Sequence, residues 1–310
     1  GETHSDERTI KVGYQCLNLG NNLPKELNKE EGFVLELSAK NLNDQPLFSQ
    51  GKIKIEKLQE PDQVFYKRLW AVPDLQNWTK EEFRNLFPHE AYANEDNEEG
   101  WDIEKQMVEL SFDTEKSNQI LIDEIEDWTL GRYKYTALST DKRGFEIRDE
   151  SYFTLFSDFD ETPPNNEVLW VKCLQETAEP GDEITVLIAT AASNLNVSYE
   201  YSFYKSPLNN QKLKFSEKVH TIKFKITEEH RGGLAFKFIA VQKNREFSKL
   251  LLLKIPFTNK ELDVSISSFR NKLLPGESQE WILNIKSKLG EQHQAELLAA
   301  MYDTSLDALV

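Results

Sequence analysis

The chain has 310 residues, with 37 lysines and arginines against 53 aspartates and glutamates, for a formal charge of −16. At about 150 residues per domain that length suggests two or three domains, and 18 Phe, 10 Tyr and 6 Trp supply the bulky core material that disordered chains lack. The acidic balance excludes nucleic acid as a partner, because phosphate affinity rests on clustered Lys and Arg, and no apolar run reaches the roughly 18 residues of a membrane helix.

The chain opens Gly1-Glu2-Thr3-His4 without a starting Met. It reads as processed or engineered, so a missing signal peptide says nothing about compartment. Cys16 and Cys173 are too few for a disulfide scaffold and are expected to be buried as small apolar residues.

From the N-terminus onward the dominant periodicity is two. Phe33, Leu35, Leu37 and Ala39 alternate with Val34, Glu36 and Ser38, the mark of a strand with one dry face and one wet face. The segment from Trp70 to Glu104 interrupts this pattern. Thr79-Lys-Glu-Glu82 is a capping box, and Phe83, Leu86 and Phe87 follow at helical spacing before Pro88; a short helix and an acidic loop are predicted there. Asp158 to Asn166 carries two prolines and three acids and reads as a solvated linker. Alternation then resumes at Ile184, Val186 and Ile188, at Ile222, Phe224 and Ile226, and at Leu234, Phe236, Phe238 and Ala240. After a second break, Pro256 to Lys260, it returns at Leu262, Val264 and Ile266 and at Trp281, Leu283 and Ile285.

Short strands divided by turn residues (Asn43-Asp44, Pro180-Gly-Asp182, Arg231-Gly-Gly233, Pro275-Gly-Glu277) read as an all-β chain of tandem fibronectin- or immunoglobulin-like β-sandwiches. The expected domains are 8–157, with the insertion 70–104, then 160–256, then 257–310. The last, at about 54 residues, falls short of the roughly 100 residues and seven strands of a sandwich and is read as partial.

Counting Asn94 as the first residue of an EF-hand loop puts Gly100 seventh and Lys105 twelfth, where glycine is required sixth and glutamate twelfth; the stretch reads as a solvated acidic loop. His4, His89, His220, His230 and His293 form no pair at metal-ligand spacing, and His220 and His230 are read as surface residues. No Gly-x-Ser-x-Gly elbow, catalytic-cysteine signature or Gly-rich phosphate cradle occurs. The sequence therefore assigns no catalytic, cofactor-binding or metal residue, implies no cofactor, and favours a binding or structural role over an enzyme.

One resemblance is long enough to use. Glu261-Leu-Asp-Val-Ser-Ile-Ser-Ser-Phe-Arg-Asn-Lys-Leu-Leu-Pro-Gly276, the strand Glu280-Trp-Ile-Leu-Asn-Ile285 and the segment Ala295-Glu-Leu-Leu-Ala-Ala-Met-Tyr-Asp-Thr-Ser-Leu-Asp-Ala308 resemble the macroglobulin-type domain before the bait region in the bacterial alpha-2-macroglobulin family. Gly51 to Leu58, Trp70 to Asp74, Gly131-Arg-Tyr133 and Thr140-Asp141 look like an earlier domain of the same kind. The resemblance implies a row of seven-stranded sandwiches framing a bait segment, whose cleavage entraps a protease. It also implies an envelope protein facing the periplasm, often lipid-anchored, with any membrane contact through an anchor outside this chain. Partners would be proteases, met by the full-length protein, and other domains of the same chain. Leu289-Gly-Glu-Gln292 matches three residues of the family's Cys-Gly-Glu-Gln thioester but has Leu in place of the thiol, so it is read as a hairpin turn and no thioester is encoded here.

The expectation is a non-enzymatic scaffold ending where a bait segment would begin, with inter-domain contacts around Trp170, Phe257 and Trp281. Two alternatives stand beside it. One is a carbohydrate-binding or adhesive module using Trp70, Trp78 and Trp101 as a platform; the other is a non-catalytic region of a larger envelope enzyme.

Overall fold

The structure is a computed structural model that describes residues 10–66, 68–203, 209–215, 218–268, 276–278, 280–287 and 297–298. Its first part packs two sheets face to face. One has the order β1 (Asn18–Asn21), β3 (Phe33–Lys40), β6 (Gln119–Ile122). The other runs β2 (Glu26–Asn28), β8 (Glu146–Phe156), β7 (Gly131–Thr140), β4 (Gln50–Leu58), β5 (Ile103–Asp113). All pairings are antiparallel except that of β2 with β8.

The period-two pattern explains the packing directly. In β3, Leu35 and Leu37 turn inward while Val34, Glu36 and Ser38 stay exposed. They meet Ile53 and Ile55 of β4, Tyr133 and Tyr135 of β7 and Phe153 and Leu155 of β8 in one cluster. Each such side chain contributes about 1.5–3 kcal/mol of burial. Tyr133 also pins a corner: its hydroxyl donates to the carbonyl of Thr129 at 2.6 Å, tying the start of β7 to the turn before it, as a corner tyrosine does in many sandwiches. Gly51 is where β4 lies tight against β7; a Cβ there would sit 2.0 Å from the Leu138 carbonyl oxygen.

The second part repeats the plan with different strands. A three-stranded sheet β13 (Lys218–Lys225), β10 (Glu183–Thr190), β9 (Trp170–Cys173) faces a four-stranded sheet β12 (Asn209–Phe215), β11 (Leu195–Ser202), β14 (Leu234–Gln242), β15 (Arg245–Leu253). Ile184, Val186 and Ile188 meet Val197, Phe236, Phe238 and Ala240 in a second cluster. The tandem β-sandwich fold expected from the alternation is the fold observed.

Local departures have physical causes. Ile226 is buried although β13 ends at Lys225, because the chain keeps its alternation for one residue after the ladder stops. His230 is buried, not a surface residue. Its Nδ1 accepts from the Thr227 amide at 3.0 Å, and its ring packs on Phe203 and Phe224. Neither cysteine is fully buried. Cys16 gives its amide (3.1 Å) and thiol (3.2 Å) to the Asp141 carboxylate. Burial works against that carboxylate's charge, but donors from Phe145, Cys16 and Arg143 prevail and hold its pKa at about 2. The Asp158–Asn166 stretch forms no strand but is stitched down, with Glu161 O accepting from the Val219 amide at 2.8 Å.

Beyond Pro256, β16 (Leu262–Ser268) and β17 (Ile282–Ser287) form an antiparallel hairpin, with Val264 opposite Ile285 and Ile266 opposite Leu283. Trp281 lies just before β17. Leu262, Val264 and Ile266 are about half exposed, not buried as their alternation predicts, since no third strand pairs with this hairpin among the described residues. Leu289-Gly-Glu-Gln292, Ala295-Glu296 and residues 299–308 of the C-terminal segment, and most of the turn before Gly276 lie outside the described residues.

Candidate functional site at the junction of the two sandwiches

Among the described residues, the segment between β4 and β5 is the longest stretch outside the strands. Its helix α1 (Lys80–Leu86) starts at Thr79, whose Oγ1 accepts from the Glu82 amide while the Glu82 carboxylate accepts from the Thr79 amide at 2.9 Å, a reciprocal capping box. Phe83 is the buried residue of this helix. Trp70 and Trp78 meet Phe87 edge-on, at 5.7 and 5.9 Å between centroids. Both keep outward surface, 43% and 42% exposed, while Trp101 puts its indole N–H on the Glu95 carbonyl at 2.8 Å.

The acidic loop after the helix is not merely solvated. Glu95 accepts from the Tyr92 amide and pairs with Lys80 and Arg84. Glu98 takes the guanidinium of Arg132 on β7 in a two-pronged pair, one arm measuring 3.0 Å. The loop therefore closes back onto the first sandwich. An arginine with both arms on one carboxylate is a strong, oriented contact.

The same segment also reaches the second sandwich. Tyr66 is buried in that sandwich's core cluster, edge-on to Phe247 at 5.1 Å, and its hydroxyl donates to Gln242 Oε1 at 2.6 Å. His89 stacks on Tyr66 at 5.0 Å and its Nε2 faces the Lys243 ammonium. Burial and the Lys243 charge push the His89 pKa down, outweighing Glu90, so the ring is held neutral as an acceptor. Glu90, buried, pairs with Arg245 at 2.6 Å. A second seam lies at the other side. Trp170 packs on Phe156 and donates its indole N–H to Glu26 at 2.8 Å, and Lys172 pairs with Glu26 at 3.1 Å.

Between the two seams sits a cavity of about 260 Å³ lined by Glu60, Gln63, Phe65, Asp96, Glu98, Trp101, Arg132 and Asn165 to Glu167, among others. Glu60 anchors it, accepting from the amides of Arg132 (2.9 Å) and Asn166 (3.1 Å). Burial raises the pKa of its carboxyl despite those donors and the Arg132 charge.

Trp170, expected at an inter-domain contact, is at one. Phe257 lies against Gly232 in the turn before β14 and under the Lys260 ammonium, beside Arg231, which binds Glu179, Pro256 O and Thr258 and so fastens the exit toward β16. Trp281 is half-buried beside the hairpin. The residues of the first seam, Tyr66, His89, Glu90, Gln242, Lys243 and Arg245, carry no sequence motif. Among the described residues no three His, Cys, Asp or Glu side chains converge as a metal site.

No protein-family model matches this chain, and no curated protein does. Solved structures share a likeness. The native conformation of Escherichia coli alpha-2-macroglobulin aligns with 88% of this chain and 18% of its own, at 10% identity and a TM-score of 0.27. Trypsin-activated Escherichia coli alpha-2-macroglobulin aligns with 82% of this chain and 18% of its own, at 9% identity and 0.27. A tetra-tandem repeat from the extending region of a large adhesion protein aligns with 82% and 52%, at 11% identity and 0.24. This chain thus spans 18% of the length of each of these two macroglobulin structures, and scores of this size say nothing about activity.

Proposed function

We propose that the chain is a non-enzymatic scaffold of a bacterial macroglobulin-like, protease-trapping protein of the cell envelope, made of sandwich units 8–157 and 160–256 with a partial third from 257. The observation that carries this reading is the insertion joining both sandwiches. Tyr66 enters the second core, Glu90 pairs with Arg245, and Glu98 holds the insertion to Arg132. Such fastening serves a frame that must keep its shape while a neighbouring segment is cut. The motif resemblance in 51–74, 131–141 and 261–308 supports the family part.

The test uses the protein at its natural length, incubated with trypsin or elastase. The expected result is cleavage outside these sandwiches, a change in electrophoretic mobility, and protease carried along in the product while this region stays intact. Free, fully active protease after cleavage overturns the trapping role. Turnover of casein or a peptide library by the purified 310-residue chain overturns the non-enzymatic one.

A further inference from the structure

The insertion serves the junction at its two ends. Tyr66 enters the second core, and His89 and Glu90 meet Lys243 and Arg245. The stretch between those ends does something else: it turns apolar side chains into water. Leu69, Trp70, Val72, Leu75, Trp78 and Leu86 are between 39% and 80% exposed. Trp70 and Trp78 flank Phe87 edge-on, Leu86 precedes Phe87 on the outer side of α1, and Leu69, Val72 and Leu75 lie beside the two tryptophans in the chain. Single exposed leucines are ordinary, but six large apolar groups in one segment are not. At these exposures they leave on the order of 700 Å² in solvent, above the roughly 300–600 Å² of the largest apolar patch on a typical monomer. The cap of α1 and the bridge from Glu95 to Lys80 and Arg84 hold this face in shape, which lowers the ordering cost of covering it.

Area and charge together select the occupant. A standard protein interface takes about 800 Å² from each partner, with aromatic side chains at its centre and polar groups at its rim, and this face has both the size and the aromatic centre. Its rim carries both signs: Lys80 and Arg84 stay about half exposed although they share Glu95, and Asp74 and Glu81 are exposed beside them. A surface that meets its own copy about a twofold axis must be self-complementary, and a mixed rim meets that condition. A segment that enters lipid instead carries Lys and Arg on its polar side, which the acids here oppose. We propose that this face is the interface between two copies of the chain, related by a twofold axis with the Trp70, Phe87 and Trp78 cluster at its centre. The interface does not depend on protease trapping.

The test is sedimentation equilibrium of the whole chain at about 1–100 µM, in about 50 and 500 mM NaCl. A monomer–dimer equilibrium in the micromolar range is expected. It should tighten as salt rises, because the charge of −16 on each copy is screened while the apolar contact is kept. Leu69→Ser with Leu75→Ser, both on side chains that pack little in the single chain, should loosen the dimer at least about a hundredfold, since a twofold interface loses each contact twice. Leu86→Lys should loosen it independently, and carries the comparison if the paired variant melts early. Leu250→Ser, 66% exposed on the outer face of the second sandwich, should associate as the unaltered chain does. The proposal is overturned if the chain is monomeric at about 100 µM, if the dimer loosens with salt, or if Leu250→Ser weakens it as much as the paired leucine variant does. Uptake of the monomer by phosphatidylcholine vesicles through the same leucines would also overturn it.

Discussion

Tyr133 and Tyr135 stand two residues apart on β7, both buried in the same cluster, yet their hydroxyls differ in circumstance. Tyr133 donates to Thr129, while Tyr135 Oη is buried without a hydrogen-bond partner among the described residues. Burial pushes both phenols up, Tyr133 to about 12. Removing a made bond leaves the Thr129 carbonyl stranded, whereas removing an unmade one relieves a desolvated donor. Urea unfolding should therefore show Tyr133→Phe destabilised by about 1 kcal/mol and Tyr135→Phe unchanged or slightly more stable. Equal losses for the two would mean that the Tyr135 hydroxyl makes a hydrogen bond in the folded protein. Sequence alternation marks both positions as inward-facing, but not which hydroxyl is satisfied, because that depends on a backbone carbonyl at a corner.

At the scale of elements, the strands were the legible part. β3, β10 and β14 each carry three or four apolar residues at period two, and each buries them. The capping box of α1 was equally plain, since Thr79 and Glu82 announce it locally. A helix of seven residues gains little from propensity alone, so its cap should matter. Thr79→Ala should cost about 1 kcal/mol locally, seen as faster amide exchange across 80–86 with the sandwich strands unaffected. The joining segment was illegible for a physical reason. Gln59 to Tyr66 has no periodicity, Pro61 breaks any ladder, and the partner of Tyr66 lies 176 residues away, where no local pattern can point. His230 shows the same limit, its burial being set by aromatic neighbours on β13 and beside β11.

For the whole molecule, the seam around Glu90 and His89 decides whether the two sandwiches behave as one. Arg245→Ala leaves a buried carboxylate unpaired, and about 3 kcal/mol of stability should be lost. Replacing both partners by leucine should recover most of it, since an apolar pair carries no stranded charge. A double variant as weak as the single would show that the pairing itself is indispensable. Acid should act on the same seam through His89. Its folded pKa lies below the ordinary 6.5, so its contribution is complete above that pH and is lost as pH falls through the lower folded value. A protonated ring would face Lys243 and, on the same surface, Arg245, with Glu90 the opposing charge among the described residues and Tyr66 and Phe247 uncharged neighbours. Calorimetry should give one joint unfolding transition at neutral pH and a lower or split one in acid. His89→Phe should flatten that dependence; an unchanged profile would place the acid response elsewhere, with His230 the next group to test.

The long reach of Tyr66 also sets a timetable for synthesis. A ribosome adding about 5–20 residues per second needs about 10–35 s to travel the 176 residues from Tyr66 to Gln242. Through that interval the first sandwich can close its own core, but Tyr66, His89 and Glu90 wait in water for a surface not yet made. The insertion is thus the last part of the first half to find its place. Any factor shielding the nascent chain would have its longest task there.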